Sequence, residues 1–212
     1  MAFDLNLQAR AGLQQLSPGV PGYVGAGMDG SLLVSRGLPD YYELCRGGLI
    51  QQAHAIVTAP VIYTTAAGTG GPVLHNRTAN KVAVLLKVGI GLSVVTTVAA
   101  SLGLTGRGDQ GDTVMTSTTA IDSQVNMYLG GAVSAMSLYR VATPAAAGAF
   151  FMPLADLHTG ALTVDNLGMG WFDIEGLVLV PPGAWIALAA SATATTAVIQ
   201  AGFIWAEVPH KI

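Results

Sequence analysis

From Ala53 onward, apolar and polar residues alternate along the chain with the period of two that a pleated strand demands. The longest run is Lys81 to Ile90. Strict alternation there puts Val82, Val84, Leu86, Val88 and Ile90 on one face and Ala83, Leu85, Lys87 and Gly89 on the other. One face is then core and the other half apolar. A strand interrupted by Pro60 is read at Ala53–Ala59 and Val61–Thr65, followed by a Gly-rich turn at Ala66–Pro72. Further strands are expected at Val73–Arg77, Ser93–Leu104, Val114–Ser117, Ala132–Val141, Phe150–Met152, Leu162–Val164, Ile174–Val180, Ala184–Ala190 and Val198–Val208. Turn chemistry separates them at Gly106–Asp112, Pro144–Gly148, Gly168–Gly170 and Pro181–Gly183. Ile121–Gly130 reads as a long loop or a helical turn. So many short strands with little helix predict an all-β domain over residues 53–212, a jelly-roll-type β-sandwich.

Residues 1–52 break this pattern. Gly and Pro recur at Pro18, Gly19, Pro21, Gly22, Gly25, Gly27, Gly30, Gly37 and Pro39, which disfavours a regular sheet and predicts an extended N-terminal arm. Ser31–Ser35 has the makings of one short strand, and Asp40–Arg46 of one or two helical turns ending at Gly47 and Gly48. Two readings of the arm stand side by side: it orders on a partner surface, or it folds back on its own domain. In the first, Tyr41, Tyr42 and Leu44 are the apolar anchors and Arg36 and Arg46 the polar contacts.

Composition narrows the function. Only 10% of the 212 residues are charged while 51% are hydrophobic, and the mean hydropathy is +0.54. A chain with so little charged surface is expected to hide much of its exterior against other chains. Val82–Leu104 and Ala184–Ala206 are long enough to cross a bilayer as helices. The first, however, is broken by Gly89, Gly91 and Gly103 and dense in Val and Thr, and the second is rich in Ala and Thr, so both read as strands. No membrane association is expected, and the first ten residues lack the basic and apolar regions of a secretory signal. The net charge of −3, with three lysines and six arginines scattered along the chain, argues against a nucleic-acid surface. The single Cys45 excludes an intrachain disulfide and fits a reducing cytosol, as a small buried residue rather than a reactive thiol.

Candidate chemistry is sparse. His54, His75, His158 and His210 lie far apart without metal-ligand spacing. Asp109 and Asp112 lack the regular acidic positions of an EF-hand loop, and a solvated turn is the expectation there. The Arg107-Gly108-Asp109 triplet matches a short integrin-recognition tripeptide, whose chance occurrence is the default. Asp173 and Glu175 sit two apart beside Trp171 and Phe172, so a strand would put both carboxylates on one face, a geometry known from carbohydrate sites; the alternative is a rim strand with its polar face in water. Trp171, Trp185 and Trp205 lie in apolar strand contexts and read as core or interface anchors. No nucleophile elbow and no phosphate-binding loop is present. No catalytic residue, cofactor, metal or small-molecule substrate is therefore expected.

Two segments carry a resemblance. Leu177–Ala190, with Pro181-Pro182-Gly183 at its turn, followed by Ala197–Pro209, resembles the closing hairpin of virion structural proteins from tailed bacteriophages. Val73–Lys87 is similar to their opening of apolar strand, Asn-containing turn and apolar strand. The resemblance spans roughly residues 53–209. It implies a jelly roll or related sandwich used for capsid decoration, cementing or fibre attachment, with no catalytic residues. The expectation is thus a non-enzymatic cement protein on the capsid surface of the virion, made in the host bacterial cytoplasm. It would self-associate as a dimer or trimer and bridge subunits of the major capsid protein. The alternative is a tail- or fibre-associated module that binds a host-surface glycan. Exposed aromatics beside Asp173 and Glu175 favour the second, and an ordered arm reaching a neighbour favours the first.

Overall fold

The alternating segments become twelve strands among the residues that the computed structural model describes, namely 41–58, 62–64, 72–94, 100–108, 115–144, 146–157, 169–192 and 198–210. The chain divides into two units, Met1–Gly47 and Gly48–Ile212. The first contains the helix α1, Tyr42–Arg46, closed by a hydrogen bond from the Cys45 amide to the Tyr41 carbonyl at 2.8 Å. Helix-turn chemistry was legible here, with the paired glycines following Arg46 as predicted. Residues 1–40 of the expected arm, Arg36 included, lie outside the described residues, and its last three, Ile50, Gln51 and Gln52, belong to the first strand of the second unit.

The second unit is all-β. Its strands are β1 (Ile50–Thr58), β2 (Val73–His75), β3 (Lys81–Val94), β4 (Ala100–Arg107), β5 (Thr116–Ala120), β6 (Ser123–Asn126), β7 (Ser137–Thr143), β8 (Phe150–Leu157), β9 (Met169–Asp173), β10 (Leu179–Val180), β11 (Trp185–Ala190) and β12 (Val198–Pro209). They form two antiparallel sheets. The first runs β10-β3-β12-β1-β6, with β9 also on the outer edge of β3, and the second runs β5-β7-β2-β11-β4-β8. One hydrophobic core joins them: Ala53, Leu85, Val88, Ile90, Ile199, Ala201, Phe203 and Trp205 from the first sheet meet Leu74, Leu102, Leu104, Leu138, Ile186 and Leu188 from the second. The result is a β-sandwich. Each large side chain fully buried there contributes roughly 1.5–3 kcal/mol by leaving water.

The centre of both sheets is one pair of consecutive strands. β12 lies between β1 and β3, and β11 between β2 and β4. Eight of the eleven steps between consecutive strands change sheet; among them β1 to β2, β3 to β4 and β11 to β12 lie side by side, because β12 neighbours β1 and β3 and β11 neighbours β2 and β4. The two stretches long enough to cross a membrane as helices are thus β3–β4 and β11–β12. No helix among the described residues is long and apolar enough to span a bilayer.

Three local expectations fail for identifiable reasons. In β3 the alternation does not run through: Ala83, Leu85, Val88 and Ile90 face the core together, because a bulge opposite Ile204/Trp205 inserts Leu86 as an extra residue and reverses the phase. Lys87 and Gly89 consequently join Val82 and Val84 on the outer face. Ile174–Val180 is not one strand. β9 stops at Asp173, Glu175 (φ 50°) and Gly176 (φ 82°) turn through the left-handed region, and pairing resumes at Leu179. Both disturbances meet at the Leu86 carbonyl, which accepts the amides of Ile174 (2.8 Å) and Glu175 (3.1 Å). Finally, the segment read as a loop or helical turn contains β6, which pairs with β1 from Gln51↔Asn126 to His54↔Ser123. β1 also begins at Ile50 rather than Ala53. The predicted strand Leu162–Val164 lies outside the described residues.

Candidate interaction surfaces

Among the described residues of the sandwich, exposed apolar side chains gather at two places, with Ile56 on β1 and Phe150 on β8 exposed singly elsewhere. The first is the turn after β6, where Met127, Tyr128, Leu129 and Val133 are exposed, Leu129 to 83%. Such residues cost least where the backbone beneath them is already ordered, and here Asn126 orders it. Its buried carboxamide donates to the Gly48 carbonyl (2.9 Å) and the Ala132 carbonyl (2.7 Å) and accepts the Tyr128 amide (2.9 Å). The Gly131 amide returns to the Tyr128 carbonyl at 2.8 Å. Gly130 has φ 91°, and a Cβ on Gly131 would lie 2.8 Å from the Asn126 side chain, so both glycines are required for the turn. The Gln51 carboxamide also reaches the Ala132 carbonyl, at 3.3 Å. Asn126 with Gly130 and Gly131 four and five residues on is the sequence signal for this turn.

The second place is the outer edge of the first sheet. Leu177 and Leu179 project from the interrupted edge strand, and Trp171 stands on its outer face, 48% exposed. Trp185 and Trp205 are buried, as expected of anchors; Trp171 is not. One register row crosses this face: Trp171↔Gly89↔Gly202↔His54↔Ser123. The indole leans over the glycines, since a Cβ on Gly89 would lie 3.0–3.2 Å from three indole carbons and one on Gly202 3.7 Å from one of the same three, Cη2. Beside it, Asp173 pairs with Lys87 across the strands, both partly exposed. Glu175 does not share that row, because it sits in the left-handed turn. The two carboxylates therefore do not form the same-face pair that a continuous strand would give.

Of the predicted partner-binding residues, Tyr41, Tyr42, Leu44 and Arg46 fall at or within α1, and Arg36 lies outside the described residues. Tyr41, at φ 52°, Tyr42 and Arg46 are exposed, and Leu44 is half-buried. Of the histidines, His54 faces outward on β1, His75 is buried on β2 and His210 follows β12, while His158 lies outside the described residues. No group of three metal-ligating side chains converges among the described residues. Arg107 of the Arg-Gly-Asp triplet ends β4 and donates to the Ala147 carbonyl at 3.3 Å; Asp109 lies outside the described residues, as does Asp112. A cavity of about 60 Å³ opens between Arg107, Phe150, Leu179, Pro181 and Trp185, well below the size of a substrate pocket.

An ion pair with a buried carboxylate and a part-exposed lysine ends the core. Glu207 points inward from β12, donates its backbone amide to the Leu49 carbonyl (2.8 Å), and its carboxylate accepts from Lys81 Nζ (2.8 Å) and the Ser134 hydroxyl. Lys81 keeps 41% of its side chain in solvent, so this pair seals the rim and leaves no buried ammonium. Compared with known proteins, the chain matches no family and no curated protein.

Proposed function

We propose that the chain is a non-enzymatic structural protein of a tailed-phage virion, a decoration or cement protein that self-associates and grips the major capsid protein on the capsid surface. The observation that carries this reading is the turn after β6. Met127, Tyr128, Leu129 and Val133 form an apolar tip on a backbone fixed by Asn126. A fixed apolar tip on a chain with 10% charged residues suits burial against another protein. The jelly-roll reading rests on the adjacent crossings β3–β4 and β11–β12, which wrap from one sheet to the other as neighbours. Tyr41, Tyr42, Leu44 and Arg46, with Arg36 before them, are the arm residues this reading assigns to the partner. Bridging of several capsid subunits would add binding energy that must be lost before they separate.

Light scattering on the full chain tests the self-association. A discrete dimer or trimer that dissociates in Leu129→Asp with Val133→Asp supports the reading. A monomer at all concentrations removes the obligate oligomer.

A second reading has its own support. Trp171, exposed beside Asp173, favours a tail- or fibre-associated module that binds a host-surface glycan.

A further inference from the structure

We propose that the outer face of the first sheet carries a binding site for a neutral pyranose, with Trp171 as its stacking platform; the proposal rests on the glycan-binding reading and names its site and ligand class. Glycine within strands is unfavourable, by roughly 0.5–1 kcal/mol each against alanine. Yet Gly89 and Gly91 on β3 and Gly202 on β12 all stand on this face. At Gly89 the reason is geometric: a methyl group would lie 3.0 Å from the indole and lift it off the sheet. The glycines thus let the ring lie low over the backbone, with one face packed and the other in water.

The open face of an indole carries the negative side of its quadrupole. The complementary surface is the C–H-bearing face of a sugar ring, apolar yet electropositive. The hydroxyls around such a ring require donors and acceptors at its edge. The register supplies them. His54 shares the Trp171 row, Gln200 pairs with Gly91 one step along β12, and Gln52 lies one step the other way on β1; all three are partly exposed. Lys87 and Asp173 close the near side, but they neutralise each other. That pairing leaves no excess charge for an acidic sugar, which sets the class as neutral.

The test is binding of the full chain to immobilised oligosaccharides ending in glucose, galactose, N-acetylglucosamine or sialic acid. It is read together with acrylamide quenching of tryptophan emission. Since Trp185 and Trp205 are buried, quenching reports chiefly on Trp171. At least one neutral probe is expected to bind and to shield the quenchable tryptophan, with the sialylated probe no better. Trp171→Ala should weaken binding at least tenfold and Trp171→Phe less. His54→Leu with Gln200→Leu should weaken it several-fold without touching the indole, which serves if Trp171→Ala does not fold. Neutral probes that bind without altered quenching, or equally well to the rim variant, overturn this site while leaving glycan binding in place. Binding confined to the sialylated probe overturns the neutral class. Absence of binding to every probe overturns the site and the glycan-binding reading together.

Discussion

Asn76 should be among the most costly polar residues to remove. It follows β2 in the second sheet and is fully buried, and its side chain reaches the first sheet. Nδ2 donates to the carbonyls of Lys81 at the start of β3 (2.7 Å) and Val180 at the end of β10 (2.8 Å). Oδ1 accepts the Thr78 amide (3.0 Å) and hydroxyl (2.6 Å). In Asn76→Ala four bonds go. At about 1 kcal/mol net for each bond the loss sums to about 4 kcal/mol. Thr78 is only half-buried and can turn to water or to the Lys81 carbonyl, already 3.4 Å from its hydroxyl, which recovers about 1 kcal/mol. The expected cost is therefore about 3 kcal/mol. Thr78→Val, which removes one hydroxyl, should cost about 1 kcal/mol. Urea unfolding followed by tryptophan emission measures both, as a shift of midpoint at unchanged slope. If Asn76→Ala costs no more than Thr78→Val, the carboxamide is not a tie between the sheets and the reasoning fails.

Other substitutions probe other parts of the sandwich. Phe203→Ala empties a fully buried position and should cost about 3–5 kcal/mol by the same assay. Gly103→Ala would drive a methyl group into the Met152 carbonyl across the β4–β8 pair; a lowered melting temperature, with loss of amide protection in β8 by hydrogen exchange, is the expected outcome. At the rim, Lys81→Met leaves the Glu207 carboxylate without its cation and should cost about 1–2 kcal/mol, less than a fully buried pair because Lys81 is part exposed. Glu207→Met, which releases Lys81 to solvent, should stay within about 1 kcal/mol of the parent, and equal losses for the two would count against the asymmetry.

Much of the sandwich was legible because a buried strand leaves a period of two, and β11, β12 and β3 fall within a few residues of their predicted bounds. What periodicity cannot register is an extra residue. Leu86 is apolar, so the reversal of phase it causes left no mark in the hydrophobic pattern: Val82 and Val84 were assigned to the core face and Ala83 and Leu85 to the other, the reverse of their places, while Lys87 lies off the core as expected. Asp173 and Glu175 are separated by another local event, the left-handed turn at Glu175 where β9 has already ended. Trp171 was read with Trp185 and Trp205 from similar apolar contexts. Its different fate comes from its position on the edge strand, over Gly89 and Gly202, which depends on pairing between segments remote in the chain. The exposed tip at Met127–Val133 was hidden for another reason: β6 is four residues long, too short for alternation to show.

The placement of β11 and β12 bears on how the chain comes to be folded. Ile50 pairs with Ala206 and Trp185 with Arg107, so the contacts that close both sheets join segments far apart in the sequence. Such topologies fold slowly, since loop entropy is spent before the contacts form. A ribosome delivers β1 to β4 well before their shared neighbours. Until residues 185–209 arrive, β1, β2, β3 and β4 each keep an open edge where β11 or β12 belongs. A nascent chain stopped after β10 would therefore hold four raw edges and a core lacking Ile186, Leu188, Ile199, Phe203 and Trp205 among others, a species prone to join its own kind. Completion of both sheets therefore waits on the last two strands.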